Sequence, residues 1–462
     1  MKKSALLLVL LFMMHHVGIE AQQVYQPTWE SIDSRNVPGW FPDAKFGIFI
    51  HWGLYSVPAW APTKGKVHEK YAEWYWARQN PHDKPMKSFS DFHTKTYGDK
   101  TTYTDFVSDF KAELFDPVQW ADIFKQSGAK YVILTSKHHD GFALWPSDYS
   151  WNWNSVDVGP HRDLAGDLSN AVKAAGLHMG FYYSLYEWYN PLYKKNINKY
   201  VADYMIPQMK ELVTRYRPEV LWTDGEWELP SATWKSTDFL AWLYNESPVK
   251  ESIVVNDRWG KDTRGKHGGI YSTEYDLAGD QALKRASTGR PWEECRGIGG
   301  SFGYNRNENL EDYESSESLI YLLIDKVSKG GNLLLNIGPT ADGRIPVIMQ
   351  QRLRDMGQWL SVNGEAIYGT SSWKKSALNS NTSSQYFTAK GKDLYVIVTK
   401  WPNTPLTIFG ADKADSVKML GYEGKVRYKS TSNRTVIYMP VLSPADKMNH
   451  SAWVFKLSGA VK

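Results

Sequence analysis

Cysteine is almost absent from this chain: Cys295 is the only one in 462 residues, so no intramolecular disulfide can staple the fold. Charge of one sign is scarce as well. The formal net charge is +4 and the basic residues are spread along the chain, with no Lys/Arg block to track a phosphate backbone, so nucleic acid is not an expected partner. Beyond the first residues no apolar run is long enough to cross a bilayer. No Gly-rich phosphate turn follows an early strand, which argues against a dinucleotide-binding, doubly wound sheet. Zinc-type spacing is also missing beyond the first 21 residues, because neither HExxH nor a His pair other than His138-His139 occurs there.

What is abundant is aromatic surface. Phe, Trp and Tyr make up 14% of the chain, with 21 Trp and 28 Tyr, a density that suits stacking platforms as well as cores. A carbohydrate-binding or carbohydrate-processing protein fits this composition. The N-terminus, "MKKSALLLVLLFMMHHVGIEAQQ", has a basic start, an apolar stretch and Ile19-Glu20-Ala21 near a cleavage position. Residues 1–21 therefore read as a secretory signal, too short to span a membrane. With no disulfides, export to a bacterial periplasm or the medium fits better than a lysosome.

Short apolar runs recur, and each ends in polar or charged residues: "FGIFIHWG", "YVILTSKHHDG", "HMGFYYS", "EVLWTDGEW", "SIVVNDRWG", "IYSTEYD", "PWEECRG" and "NLLLNIGP". Helical patterns lie between several of them. "DPVQWADIFKQSGAK" offers Asp116 as N-cap and Gly128 as a stop, and "DLAGDLSNAVKAAGLH" offers Asp163 and Gly176. "YMIPQMKELVTRYRPE" and "SLIYLLIDKVSKGGN" carry apolar residues near a 3.6 period. Alternating buried strands and helices predict a (β/α)8-like barrel over residues 22–365, which places chemistry at the C-terminal strand ends. From 366 to 462, short strands separated by turn residues predict an antiparallel β-sandwich.

The stretch "KHHDG" at 137–141 admits three readings: a metal site, two histidines satisfied in the core, or hydrogen bonding to a polar substrate. Adjacent histidines point to opposite faces of a regular strand, which weighs against a metal. Asp224 ends an apolar strand in "LWTDGEW", and Glu274 and Glu293 lie on later strands. Two carboxylates facing across a glycosidic bond are the minimal equipment of a glycosidase.

"WFPDAKFGIFIHWGLYSVPAW", "YVILTSKHHDGFALWPS", "GPHRDLAGDL", "LWTDGEW", "VVNDRWG" and "VSKGGNLLLNIGPTADGRIP" together resemble the α-L-fucosidases of glycoside hydrolase family 29, from about residue 27 to 370 and on into the sandwich. The resemblance implies a retaining exo-glycosidase acting on fucosylated oligosaccharides or glycoconjugates, with no cofactor and no metal. It implies that Asp224 is the nucleophile. Glu274 is the first candidate for the acid/base and Glu293 the second. His51, His138 and His139 resemble histidines that bind sugar hydroxyls. Glu73 and Trp74 resemble the pair on the far side of the sugar, Tyr183 a tyrosine near the anomeric centre, and Arg258 the arginine beside the nucleophile. Trp222 and Phe302 resemble aromatic walls. A catalytically dead, lectin-like fucose binder and a metal-dependent hydrolase are the alternatives from other classes. The former would lack one carboxylate, and the latter would be abolished by a chelator.

Overall fold

The apolar runs become strands: β1 Phe46–Ile50, β2 Tyr131–Lys137, β3 His178–Ser184, β4 Val220–Asp224, β5 Val254–Val255, β6 Tyr271–Glu274, β7 Trp292–Gly297 and β8 Asn332–Ile337. The computed structural model describes residues 23–80, 84–276, 289–379, 384–443 and 451–462; the expected leader at 1–21 lies outside the described residues. All eight strands join one parallel sheet in the order β5-β4-β3-β2-β1-β8-β7-β6. That is the order of a barrel opened between β5 and β6. At the opening, Ile270 and Gly269 donate backbone N–H groups to the carbonyls of Val255 and Asn256, at 2.9 and 3.3 Å, so the sheet curls round on itself. The (β/α)8-like barrel expected from the strand-helix alternation is the fold that forms.

Capping explains where its helices start. In helix Pro117–Gln126, Asp116 accepts from the backbone N–H of Val118 and Gln119; in Leu164–Ala174, Asp163 accepts from Gly166; in Ser316–Ser328, Ser315 accepts from Ser318. The helix expected around "YMIPQMKELVTRY" runs Ile206–Tyr216, but it continues a longer helical stretch. Helix Ile197–Tyr200 and a single π-helical turn, Val201–Met205, precede it without a break. Pro207 accounts for that turn, because it lacks an N–H and its ring crowds the carbonyl four residues back. No helix follows β5; the chain reaches β6 through turns.

The barrel's two sides bury different residues. Between sheet and helices lies one core, with Ile48, Leu134, Tyr183 and Leu335 among its members. Inside the barrel lies another, with Phe49, Tyr131, Tyr182, Trp222, Cys295 and Leu334. Alternation along each strand sends neighbours to opposite sides.

The C-terminal region forms two antiparallel sheets. One orders β13 (Ser416–Met419), β16 (Trp453–Ser458), β11 (Asp393–Val398), β10 (Gln385–Lys390) and β9 (Ser371–Ser372); the other orders β12 (Leu406–Phe409), β15 (Arg434–Tyr438) and β14 (Arg427–Ser430). Leu394, Val396 and Phe455 pack with Ile408 and Ile437 of the smaller sheet. On the opposite face, Tyr395, Ile397 and Val454 join the core around the barrel helices. Trp359 of helix Val347–Asn363 donates its indole N–H to the Ala452 carbonyl at 3.0 Å, so polar contacts pin this second face too.

Candidate active site

The C-terminal strand ends open into a cavity of about 690 Å³. Asp224, the last residue of β4, faces it. Gly225 follows with φ +76°, and a Cβ there would lie 2.5 Å from the Cβ of Tyr186. Only glycine lets the chain turn sharply enough to leave Asp224 at the mouth.

The tripeptide Asn256-Asp257-Arg258 compensates for the shortness of β5. Asn256 donates to the Thr223 carbonyl at 2.7 Å and accepts from the Thr223 hydroxyl at 2.9 Å, tying the segment to β4. Asp257 accepts from the backbone N–H of Ser272 at 3.1 Å and from its hydroxyl at 2.7 Å, tying it to β6. Arg258 is thereby held between the two strands. Its Nε donates to Ser272 Oγ at 3.0 Å, Nη1 to Asp224 Oδ1 at 2.7 Å, and Nη2 reaches Glu274 Oε2 at 3.5 Å. Trp222 stacks beneath the guanidinium, 4.3 Å from its carbon.

Burial alone would raise the pKa of Asp224. Arg258 foremost, with Arg264 behind it, outweighs burial and holds the carboxyl below its ordinary value. Tyr182 donates to Asp224 Oδ2 at 3.0 Å. Glu274, at the end of β6, accepts from the Tyr71 hydroxyl at 2.7 Å.

The histidines are neutral, and their partners select the tautomer. Asn336 donates to the Phe302 carbonyl at 2.6 Å, which turns its Oδ1 toward His51 Nδ1, also at 2.6 Å. His51 Nδ1 therefore carries the proton and Nε2 is an acceptor. Ser184 donates to the Tyr186 carbonyl at 2.6 Å, so it accepts from His139 Nδ1 at 2.6 Å. His139 Nε2 then faces Asp224 Oδ2 at 3.8 Å, acceptor against acceptor. A hydroxyl group is the kind of donor that satisfies that pair. Burial pushes His51 down to about 4 and His139 to about 3, and lowers His138 as well. Nδ1 of His138 is buried with no hydrogen-bond partner among the described residues.

His138 and His139 both line the cavity because β2 is irregular between Thr135 and Lys137 and ends there. The other two polar residues of "KHHDG" turn away. Lys137 pairs with Glu187 at 2.5 Å, both side chains fully buried, and Asp140 accepts from the Tyr103 hydroxyl at 2.7 Å. Among the described residues no three His, Cys, Asp or Glu side chains converge in a way that could hold a metal ion.

Ten of the expected residues line this one cavity: His51, Glu73, Trp74, His138, His139, Trp222, Asp224, Arg258, Glu274 and Phe302. Glu73 accepts from the Gly303 N–H at 2.8 Å, and burial raises it to about 7. Phe302 stacks on His51 with centroids 4.8 Å apart.

Two expected residues lie elsewhere. Tyr183 points out of the barrel, where its hydroxyl donates to Gln208 at 2.8 Å; its neighbour Tyr182 takes the inward face and reaches Asp224. Glu293 lies inside the barrel but two residues before Cys295, roughly 6.6 Å deeper along β7. It accepts from the hydroxyl of Tyr131 and from the indole N–H of Trp222 at 3.1 Å, and it does not line the cavity. Residues that line it without having been anticipated include Tyr71, Tyr182, Glu226, Trp227 and Arg264. Glu226 and Trp227 had a signal, since both follow a strand end directly. Arg264, which pairs with Glu226 at 2.5 Å from a turn, had none.

The chain is similar to known proteins over both of its regions. Residues 12–365 match the family model of the α-L-fucosidases, and residues 379–458 match the α-L-fucosidase C-terminal domain. An α-L-fucosidase of Branchiostoma floridae is 43% identical over 453 residues, covering 95% of this chain and 97% of that protein. The tissue α-L-fucosidase of Homo sapiens is 42% identical over 473 residues, covering 98% and 97%. Among solved structures, an α-fucosidase of Thermotoga maritima in complex with fucose is 38% identical, with a TM-score of 0.75 over 94% of this chain and 100% of that one. The same enzyme with a mechanism-based inhibitor gives 39% and 0.77. With the barrel and the sandwich each matched to its counterpart, and the overlap running nearly end to end, this chain belongs to the α-L-fucosidases of glycoside hydrolase family 29.

Proposed function

We propose that Asp224 is the nucleophile and Glu274 the acid/base of this enzyme. The chain is a retaining exo-α-L-fucosidase that hydrolyses terminal α-L-fucose from fucosylated glycans through a covalent glycosyl-enzyme. The observation that carries the residue assignment is that one guanidinium, that of Arg258, contacts both carboxylates at the rim of one cavity. In the first step a carboxylate oxygen of Asp224 attacks the anomeric carbon. The glycosidic bond breaks, and Glu274 gives its proton to the departing oxygen. In the second step Glu274 takes a proton from water. The water oxygen attacks the same carbon, the ester bond breaks, and Asp224 returns to its ionised form.

His51, His138 and His139 bind the sugar hydroxyls in this reading. Neutral acceptor nitrogens on His51 and His139 support it. The aromatic surface of Phe49, Trp222 and Phe302 suits the methyl group of a 6-deoxy sugar. Residues 1–21 act as an export signal, the barrel of residues 22–365 does the chemistry, and residues 366–462 form the C-terminal domain. The exported enzyme then works in a bacterial periplasm or outside the cell. Among the described residues no helix is long and apolar enough to cross a membrane.

The test is hydrolysis of 4-nitrophenyl α-L-fucoside with and without a chelator, with proton NMR of the first-formed sugar. The expected product is α-L-fucose at an unchanged rate in chelator. An initial β anomer would remove Asp224 from its role, and loss of activity restored by zinc would replace the mechanism.

A further inference from the structure

The carboxyl of Glu274 has two partners among the described residues, one on each oxygen. Oε1 accepts from the Tyr71 hydroxyl at 2.7 Å, and Oε2 faces Nη2 of Arg258 at 3.5 Å. The first has the length of an O–H donor on a carboxylate, whereas the second is long for an N–H donor. Arg258 is also committed elsewhere, with Nη1 on Asp224 at 2.7 Å and Nε on Ser272 at 3.0 Å. The orientation of the Glu274 carboxyl therefore rests on a hydroxyl 203 positions away in the chain.

Tyr71 is itself fixed. It is buried, and its ring meets those of His68 and Phe302 edge-on, each at 5.3 Å between centroids, with Tyr275 at 6.3 Å. It directly precedes the short 3-10 helix Ala72–Trp74, which is tied to the turn at 301–303. Ala72 donates its N–H to Ser301 Oγ at 2.9 Å, and Glu73 accepts from the Gly303 N–H at 2.8 Å. Burial, with Glu274 alongside, pushes the phenol well above the ordinary tyrosine value, so the hydroxyl keeps its proton and remains a donor.

A donor held on Oε1 makes the two oxygens of Glu274 unequal. A protonated carboxyl has one O–H and one carbonyl oxygen, and Tyr71 supplies a donor to the carbonyl oxygen, so the proton belongs on Oε2. Once that proton has passed to the departing oxygen, Oε1 still accepts from Tyr71. Oε2 is left to take the proton from water in the second step.

Resting on the assignment of Glu274 as the acid/base, we infer that Tyr71 is a positioning residue for proton transfer: its hydroxyl claims Oε1 and makes Oε2 the oxygen that gives and takes the proton in both steps.

The test is Tyr71→Phe in the full chain, which keeps the packed ring and deletes only the hydroxyl. It is measured beside Glu274→Ala and the double variant on a fucosyl disaccharide, phenyl α-L-fucoside and 4-nitrophenyl α-L-fucoside. General acid–base catalysis supplies about 10²–10⁴-fold, and a misplaced group forfeits part of it. For Tyr71→Phe, kcat/KM should fall about tenfold or more on the disaccharide and the phenyl fucoside, but less than about threefold on the 4-nitrophenyl fucoside, whose leaving group needs little acid. In the Glu274→Ala background Tyr71→Phe should cost nothing further, because the hydroxyl reaches the reaction only through that carboxyl. An equal loss on all three substrates, or no loss at all, overturns the positioning role. So does a full further loss in the Glu274→Ala background. In each of these cases a Glu274→Ala enzyme that is selectively slow on poor leaving groups leaves the acid/base assignment standing. A Glu274→Ala enzyme without that selectivity overturns the assignment, and the inference with it.

Discussion

Nη1 of Arg258 lies 2.7 Å from Oδ1 of Asp224, and this contact opposes the burial that by itself would raise the pKa of the carboxyl. The guanidinium is itself held by Ser272 and by the face of Trp222, so it cannot swing away without leaving several groups unpaired.

Replacing Arg258 by Gln should therefore move the acid limb of kcat/KM upward. The ionised form of Asp224 is the reactive one, and in the wild type it persists below the ordinary carboxylate value of about 3.9. Without the cation, burial dominates and the limb should move to higher pH. A pH profile on 4-nitrophenyl α-L-fucoside reads this directly. An acid limb that stays in place would mean that another group sets the charge of Asp224.

Glu274→Ala and Glu293→Ala should fail in different ways. Removing the acid/base cripples substrates with poor leaving groups, while activated fucosides still form the glycosyl-enzyme. Azide needs no base, so it should accelerate turnover of Glu274→Ala and give α-fucosyl azide. Glu293→Ala instead leaves the Tyr131 hydroxyl and the Trp222 indole N–H without their acceptor, at a cost of about 1–3 kcal/mol for each unpaired donor. It should melt earlier and show no azide rescue. Azide rescue of Glu293→Ala in place of Glu274→Ala would exchange the two roles.

His51 should make the fold acid-sensitive in a defined window. Its pKa is depressed in the folded chain to about 4, against about 6.5 when unfolded, so the unfolded state binds the extra proton first. The stability of neutral His51 is fully present above pH 6.5 and is lost as pH falls toward 4. Thermal melts of wild type and His51→Gln should therefore converge between those values. Parallel curves would show that His51 titrates normally. In kinetics, His138→Ala and His139→Ala should raise KM and lower kcat together, because hydrogen bonds to sugar hydroxyls act in both ground and transition states.

Glu187→Ala should cost about 3–5 kcal/mol, because it strands the fully buried Lys137 ammonium. Chemical denaturation measures the loss. A cost under 1 kcal/mol would mean that water or a rearranged tyrosine takes over from the carboxylate. Gly141 should be equally intolerant of a side chain, since its φ is +73° and a Cβ would lie 1.8 Å from Glu187 Oε1.

Much of this molecule follows from local sequence. Caps at Asp116, Asp163 and Ser315 start helices because a short polar side chain reaches free N–H groups only a few residues ahead. Apolar runs ending in charge became barrel strands ending at a polar mouth, and the catalytic candidates were legible there because strand ends are local features. Tertiary structure decided what depends on which way a side chain faces. Both sides of a parallel barrel strand are buried, so "FYYS" carries no polarity signal to say that Tyr182 turns inward and Tyr183 outward. Depth is equally silent in sequence: Glu293 and Cys295 share the inner face of β7, yet only the second reaches the cavity. Arg264 comes from a turn and Tyr71 from the extended residue ahead of a short 3-10 helix, and the only route of either to the site is through space. Their roles arise from closure of the barrel, which brings segments some two hundred residues apart within hydrogen-bonding distance, as Tyr71 and Glu274 are.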